Sequence, residues 1–308
     1  MAYQPDVREY FAFALDPIHV GTGGMRLGRV DLSIVREPGT NVPKIPGTSL
    51  SGACRTYAAM QENGKFPHCA GQGQPQGNYK GHCGQPDCPI CVTFGFAKGS
   101  GGNFQGLAQF SDARLLFFPV HSLAGPVWVT CPDVLKDALN ITENEPEDGQ
   151  VRVAGGVKTS GRLNLGWLML EVADNDLTFD LPDAPQEIQA ILKRAVLVSN
   201  KMFSHIVNDN LEVRTSVSID PQTGAAAEGA LFTYEAMPRA CVLYFEVVVS
   251  DPKFYQISGQ IPLDGKIEKA KDAVRKGLAL FETLGVGGMN TRGMGRLRVL
   301  NLNAGGAQ

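Results

Sequence analysis

The chain of 308 residues is 43% hydrophobic and 19% charged, with a formal net charge of −3 at pH 7. This hydrophobic content allows one sizeable core or two modest ones. Charges come early in the chain and no apolar run is long enough to cross a bilayer, so we expect a cytoplasmic protein with no membrane contact. The slightly acidic balance argues against a protein that grips nucleic acid mainly through an excess of Lys and Arg.

The first part of the chain predicts a strand, a glycine-rich loop and a helix. Residues 10–15 are apolar and run into a turn signal at 16–17, which predicts a buried strand. A glycine-rich loop at 19–24 and a strand or extended segment at 26–36 follow. Residues 48–60 predict a helix that begins at a Ser or Thr N-cap. The apolar stripe of this helix contains Leu50, Cys54, Tyr57 and Ala58.

The rest of the chain alternates predicted strands and helices. Strands are predicted at 113–120, 127–130, 168–172, 241–249 and 297–302, and a hairpin at 213–236 with its turn at 221–224. Helices are predicted at 132–139, 187–198 and 267–284. This order of elements predicts one mixed α+β domain over residues 1–308, of ferredoxin-like (RRM-like) type and decorated by insertions.

Residues 64–106 form an insertion that is too polar to build a core by itself. Four of the seven cysteines lie in it, at spacings that suit a structural tetrahedral Zn²⁺. These candidate ligands are Cys69, Cys83, Cys88 and Cys91, and His68 or His82 could replace one of them. A redox Cys-x-x-Cys pair and idle thiols are the alternatives.

A second glycine-rich loop lies between the last predicted helix and the last predicted strand. Its glycines are Gly285, Gly287, Gly288, Gly293 and Gly295, and the interleaved polar residues are Asn290, Thr291, Arg292 and Arg296. Glycines let another backbone come close and permit positive φ, and amides with guanidinium groups suit phosphate. A tight connection between helix and strand is the alternative. The pattern matches neither the dinucleotide fingerprint nor the P-loop.

This loop resembles the hallmark loop of the RAMP superfamily of CRISPR proteins. Three other stretches resemble the RNA-cleaving backbone subunit of type III-B Cmr effector complexes: residues 19–23 with Asp31 downstream, residues 45–52 leading to Arg55, and residues 112–120. The resemblance implies a subunit that binds guide crRNA in several copies and cleaves complementary target RNA at regular intervals. Its expected partners are crRNA, target RNA, copies of itself and other Cmr-type subunits.

Asp31 matches the acidic residue that this family requires for cutting RNA. A carboxylate there can act as a base on the ribose 2′-OH or hold a divalent cation such as Mg²⁺. His19 is a candidate helper, although a lone histidine beside a strand end is more often structural. In the alternative reading, Asp31 is a solvated strand residue and the chain is a non-catalytic crRNA-binding scaffold. A small zinc enzyme that acts on free nucleotides is the third reading.

The resemblance also implies residues that contact RNA. On the helix at 48–60 they are Ser49, Ser51 and Arg55, where the helix N-terminus would attract phosphate. On the hairpin they are Tyr234 and Glu235.

The family carries a β-hairpin thumb, which we expect within residues 151–164, with Val153, Lys158 and Arg162 as contacts, or else at 208–214. More broadly, residues 140–185 and 208–236 are the insertions that we expect to contact RNA.

Overall fold

One large mixed β-sheet organises the molecule. The computed structural model of the chain describes residues 3–23, 30–71, 81–97, 102–179, 184–226 and 231–303, without the side chains of residues 175 and 176. Parts of the predicted segments at 19–24, 26–36, 64–106 and 213–236 therefore lie outside the described residues. Within the described residues, eleven strands belong to this sheet.

In chain order, the strands are β1 (Asp6–Ala14), β2 (Lys44–Ile45), β3 (Phe96–Ala97), β4 (Asn103–Phe104), β5 (Ala108–Phe110), β6 (Ala113–Val120), β7 (Val127–Thr130), β8 (Gln150–Ala154), β9 (Arg162–Leu165), β10 (Leu168–Leu177), β11 (Ala195–Leu197), β12 (Glu212–Ser216), β13 (Phe232–Ala236), β14 (Val242–Val249) and β15 (Leu297–Val299). The helices are α1 (Gly47–Met60), α2 (Pro89–Phe94), α3 (Pro132–Leu139), α4 (Gln186–Leu192), α5 (Asn200–Asp209), α6 (Ile267–Ala279) and α7 (Phe281–Leu284).

The strand order of the main sheet is β15-β1-β14-β6-β7-β11-β8-β10-β9, with β2 paired to β6 and β5 paired to β14. Strand β1 runs antiparallel to both β14 and β15, so the first and last strands pair at this edge. The pairs β7 with β11 and β8 with β10 are parallel, whereas the other pairs of the main sheet are antiparallel. Strands β12 and β13 form a separate antiparallel hairpin.

Helices cover both faces of the sheet. On one face, the stripe of α1 formed by Leu50, Cys54 and Ala58 is buried in the larger core together with α5 and α6. On the other face, α3 and α4 bury a smaller core with Leu116 and Phe117 of β6. The burial of β6 on both faces explains the apolar run at 113–120 of the sequence. None of the helices in the described part of the chain has the length and apolar content that crossing a membrane requires.

Two predicted helices differ from the structure. The helix predicted at 187–198 ends at Leu192, and Ala195–Leu197 instead forms β11 between β7 and β8. The residues of β11 are apolar and fully buried, which suits a strand covered on both faces, and the sheet overrides the helical spacing. The helix predicted at 267–284 is divided at Leu280 into α6 and α7. The sequence analysis did not predict helix α5.

Of the thumb contacts predicted within residues 151–164, the structure contradicts Val153, whereas Lys158 and Arg162 are exposed. Residues 150–154 form β8, which lies inside the main sheet between β11 and β10. Val153 is fully buried there, so it cannot contact RNA. Residues 212–214 of the alternative location belong to the β12–β13 hairpin, which is separate from the main sheet, as the β3–β4 pair also is.

Candidate nucleic-acid interface and metal centre

Asp31 is held by Thr233 of the β12–β13 hairpin. The main-chain amide and the hydroxyl of Thr233 donate hydrogen bonds to Oδ2 of Asp31, at 2.7 and 2.9 Å. The main-chain amide of Asp31 donates in return to Oγ1 of Thr233 at 3.1 Å. These bonds, with that from the Thr233 amide contributing most, hold the pKa of Asp31 below its ordinary value. Asp31 is thus an ionised, solvent-accessible carboxylate at neutral pH.

The segment that follows Asp31 lies alongside β13. Leu32 pairs in parallel with Tyr234 through an isolated bridge. Oε1 of Glu235 accepts hydrogen bonds from the amide of Ile34 at 2.9 Å and from the guanidinium of Arg36 at 2.6 Å. Tyr234 and Glu235 are only 3% and 6% exposed. Their side chains therefore join protein segments in this structure, and they lack the exposed surface that the expected RNA contacts would need.

One side of the second glycine-rich loop is hydrogen-bonded to residues 17–19, and the other side is exposed. The amide of Gly288 donates to the carbonyl of His19 at 2.8 Å, and the amide of Gly295 donates to that of Pro17 at 2.9 Å. These two amides are therefore occupied. Of the predicted contacts in this loop, Gly295 is buried. The exposed ones are Gly287, Gly288, Asn290, Thr291, Arg292, Gly293 and Arg296.

Both arginines predicted to bind phosphate already have partners within the protein. The guanidinium of Arg292 lies over the ring of Phe232, 5.3 Å from its centroid, and so joins this loop to β13. Arg296 donates two hydrogen bonds to Asp16, at 2.6 and 3.0 Å. Through these contacts it holds the pKa of the Asp16 carboxyl below its ordinary value. A phosphate bound by Arg296 would therefore compete with Asp16.

His19 lies between β13 and the second glycine-rich loop. It is 5% exposed, and its Nδ1–H donates to the carbonyl of Glu235 at 2.7 Å. Its ring packs edge to face against Tyr234, with the ring centroids 6.0 Å apart. These contacts favour the structural reading of His19.

The N-terminus of α1 differs from the prediction. The residue at the N-cap is Pro46, which makes no side-chain capping bond, and Oδ1 of Asp112 accepts from the amide of Gly47 at 2.8 Å. A distant carboxylate thus replaces the predicted Ser or Thr cap and occupies an amide that would otherwise attract phosphate. Ser49 and Ser51 are half-buried on the first turns of the helix.

Arg55 points toward the cysteine segment. Its Nε donates to the carbonyl of Cys69 at 2.7 Å, and its NH1 donates to that of Gly95 at 2.8 Å. These bonds tie α1 to the segment on both sides of α2. The guanidinium is used in these contacts within the protein, in place of the expected contact with guide RNA.

The four predicted cysteine ligands come together. The sulfur atoms of Cys69, Cys83, Cys88 and Cys91 all lie within 4.8 Å of one another, and two of the pairs are separated by 3.7 and 4.0 Å. Four sulfurs at about 2.3 Å from a tetrahedral Zn²⁺ lie roughly 3.8 Å apart. The residues present therefore fit a metal such as zinc.

Local contacts complete the metal centre. Hydrogen bonds among the four thiols lower the pKa of Cys83 and raise the pKa of Cys88 and Cys91, so the four groups share protons as one cluster. Nε2 of His82 donates to a main-chain carbonyl at 2.7 Å. Among the described residues, the clustered ligand atoms are the four cysteine sulfurs, and no ring nitrogen of His82 or His68 lies with them. The structure therefore supports the four-cysteine ligand set.

Thr233 and Asp112 are the functional contacts that the sequence analysis missed. Side chains alternate along a strand, so Thr233 lies on the same face of β13 as Glu235. This period of two is the sequence signal that could have indicated Thr233. Asp112 is 65 residues from the amide that it caps. No local pattern could have indicated that pairing.

A mixed sheet with helices on both faces, together with a glycine-rich loop before the last strand, defines a known class of protein. The model of the RAMP superfamily matches residues 14–298, and the chain belongs to this superfamily. One relative is the CRISPR system Cmr endoribonuclease Cmr4 of Pyrococcus furiosus, which is 25% identical over 257 residues, 77% of this chain and 80% of the relative.

Solved structures share the fold. A chain in the structure of Type III-B Cmr-beta bound to cognate target RNA matches with a TM-score of 0.64 and 16% identity, over 97% of this chain and 98% of that chain. Oligomeric Cmr4 from Pyrococcus furiosus matches with a TM-score of 0.56 and 18% identity, over 95% of this chain and 98% of that chain. The predicted resemblance to the RAMP superfamily is confirmed.

Proposed function

We propose that this chain is a backbone subunit of a type III-B CRISPR effector complex in the cytoplasm. In this role several copies bind one guide crRNA, and the complex, with other Cmr-type subunits, cleaves complementary target RNA at regular intervals. Membership of the RAMP superfamily and the names of the relatives support this function. The observation that carries it is the meeting of the Asp31 carboxylate, β13 and the second glycine-rich loop on one side of the molecule.

RNA binding would rely on local polar groups, because the chain has a net charge of −3. The exposed edge of the second glycine-rich loop offers main-chain atoms next to Asn290, Thr291 and Arg292. Such an edge can approach a sugar-phosphate backbone closely without any surplus of basic side chains. Ser49 and Ser51 would add polar contacts from the first turns of α1.

Cleavage would depend on Asp31. The ribose 2′-OH of target RNA would attack the neighbouring phosphate and break its bond to the 5′-oxygen, which leaves a 2′,3′-cyclic phosphate and a 5′-hydroxyl. The Asp31 carboxylate would accept the proton of the 2′-OH or hold a divalent cation such as Mg²⁺, and solvent would protonate the leaving 5′-oxygen. A cation there would supply stabilisation of the negative charge that develops on the phosphate. One carboxylate makes a modest catalyst, so the bound RNA geometry or a neighbouring copy would contribute the remaining groups.

The four-cysteine centre would have a structural role. Zinc bound by Cys69, Cys83, Cys88 and Cys91 would order residues 64–106, which are too polar to fold around a core of their own. We interpret the whole chain, 1–308, as one RAMP domain with a ferredoxin-like core and this insertion. The regions at 140–185 and 208–236 would contact RNA, and the β12–β13 hairpin would serve as the thumb.

The test is the Asp31→Asn substitution in the complete complex assembled on a guide RNA. We expect the variant complex to assemble and bind target RNA normally but to lose cleavage, because the amide is neither a base nor a strong metal ligand. Asp133→Asn, an exposed aspartate in the first turn of α3, is the matched control and should cleave normally. Unchanged cleavage by Asp31→Asn would contradict the enzyme function and favour a non-catalytic crRNA-binding scaffold.

A further inference from the structure

The hydroxyl of Thr233 takes part in two hydrogen bonds with a residue 202 positions away. It donates to Oδ2 of Asp31 and accepts from the main-chain amide of Asp31. The bond from the Thr233 amide reaches the same carboxylate oxygen. The pair therefore fixes both the main chain and the side chain of Asp31.

This arrangement distinguishes the two oxygens of the Asp31 carboxylate. Among the described residues, the hydrogen bonds to this carboxylate reach Oδ2. Within the part of the chain that the structure describes, Oδ1 accepts no hydrogen bond, so the two oxygens differ in their contacts. A catalytic carboxylate needs such a fixed orientation, because small displacements of a reacting group are costly to the rate.

Thr233 stands on a rigid support. The residues that follow it in β13, Tyr234 and Glu235, are buried. Glu235 in turn binds Ile34 and Arg36, which follow Asp31 in the chain. The segment is thus held to β13 at two places, with the Leu32 bridge between them. A side chain on such a strand can position its partner more reliably than one on a free loop.

We propose that Thr233 is a positioning residue for cleavage, which orients the Asp31 carboxylate toward the target RNA. The inference rests on the proposed function and adds a residue to its site. Threonine provides both a donor and an acceptor at this position. Serine would keep both, whereas the similarly shaped valine would lose both and leave only the main-chain amide of residue 233 to hold Asp31.

The experiment compares Thr233→Val and Thr233→Ser in the complete guide-loaded complex, under single-turnover conditions with saturating target RNA. We expect Thr233→Val to lower the cleavage rate constant by about ten- to a hundredfold, the usual effect of removing a partner that orients a reactive ligand. Its affinity for target RNA and its assembly should stay at the level of the unmodified complex. Thr233→Ser should recover most of the rate. Thr40→Val, which removes an exposed hydroxyl that accepts from the Val42 amide, is the matched control.

Several outcomes would overturn the positioning role while leaving the proposed function intact. These are a normal rate constant for Thr233→Val, a Thr233→Ser variant as slow as Thr233→Val, or parallel losses of assembly and RNA affinity. If Thr233→Val does not assemble, Thr233→Ala replaces it, and failure of both to assemble overturns the role. Asp31→Asn is measured alongside. Normal cleavage by that variant, or none by the unmodified complex, contradicts the proposed function and with it the role of Thr233.

Discussion

Nε of Arg55 donates a hydrogen bond to the carbonyl of Cys69 at 2.7 Å, which ties helix α1 to a residue of the candidate metal centre. The same guanidinium reaches Gly95, immediately after the helix that carries Cys91. Arg55 thus spans the two sides of the cysteine segment. A bound metal would join the side chains of the four cysteines, and Arg55 joins the main chain on both sides of α2. The two would therefore stabilise the cysteine segment together.

Replacing Cys91 by Ser should remove the metal. Because the segment is too polar to order itself, we expect loss of bound zinc and a decrease of about 3 kcal/mol or more in the free energy of unfolding. Elemental analysis of the purified protein and urea unfolding measure the two effects. Cys131→Ala, at a buried cysteine outside the cluster, should keep the zinc. Equal zinc content in both variants would exclude the assigned ligand set.

Replacing Arg55 by Gln should loosen the metal centre without removing a ligand. The carbonyl contacts on both sides of α2 would be lost, and we expect zinc affinity to fall about tenfold or more, as for other partners outside the ligand set. Competition with a chromogenic chelator measures this affinity. Arg275→Gln, which loses only an exposed ion pair within α6, is the control. An unchanged affinity in Arg55→Gln would mean that the cluster is rigid without the arginine.

The Asp112 carboxylate caps α1 and also pairs with Lys44, whose Nζ lies 2.6 Å from Oδ2. Burial tends to raise the pKa of Asp112, but the hydrogen bonds from Lys44 and Gly47 outweigh it and hold the pKa below its ordinary value. A depressed folded-state pKa stabilises the protein above the unfolded value of 3.8, and this stability is lost as the pH falls through the folded value.

Asp112→Asn should therefore destabilise the chain by about 1 kcal/mol at pH 7. The difference from the unmodified protein should begin to shrink as the pH falls below about 4, where the unfolded chain binds a proton first, and should be lost below the depressed folded-state pKa, where Asp112 is neutral like asparagine. Urea unfolding across this pH range measures the effect. A difference that stays constant down to the lowest pH would show that the charge of Asp112 does not matter.

Much of the fold could be predicted from local patterns. The run at 113–120, its partner at 127–130 and the helix at 132–139 have the predicted bounds in the structure. Each combines strong apolar patterning with a clear turn or proline signal. Residues 195–197 were misread as helix because a short apolar run fits either structure, and only its neighbours β7 and β8 in the sheet decide between them.

The candidate site was less predictable, because the partners of its side chains are remote in sequence. The metal ligands were found because their spacing is local. The orientation of Arg55 could not be found, since its partners Cys69 and Gly95 are identified only when α1 packs beside the cysteine segment. Glu235 reads as a polar residue available to RNA, yet its partners Ile34 and Arg36 are about 200 positions away.

Alanine substitutions at two glycines of the second glycine-rich loop can distinguish the cost of a strained backbone from the cost of close packing. Gly287 has a φ of +89° and Gly293 a φ of +78°, so alanine is strained at either position. A Cβ on Gly287 would lie 2.5 Å from the carbonyl oxygen of His19, whereas a Cβ on Gly293 would have no neighbour within 4 Å among the described residues.

Gly293→Ala should cost about 1–2 kcal/mol from the left-handed backbone alone. Gly287→Ala should cost more, because the loop must also move away from His19 and so lose the bond from the Gly288 amide. That movement displaces the exposed edge that would follow the RNA backbone, so Gly287→Ala should also retain less guide RNA in the purified complex. Urea unfolding and the ratio of absorbance at 260 and 280 nm measure the two effects. Equal stability and equal RNA content in the two variants would mean that close packing of the loop against His19 does not shape the RNA-binding edge.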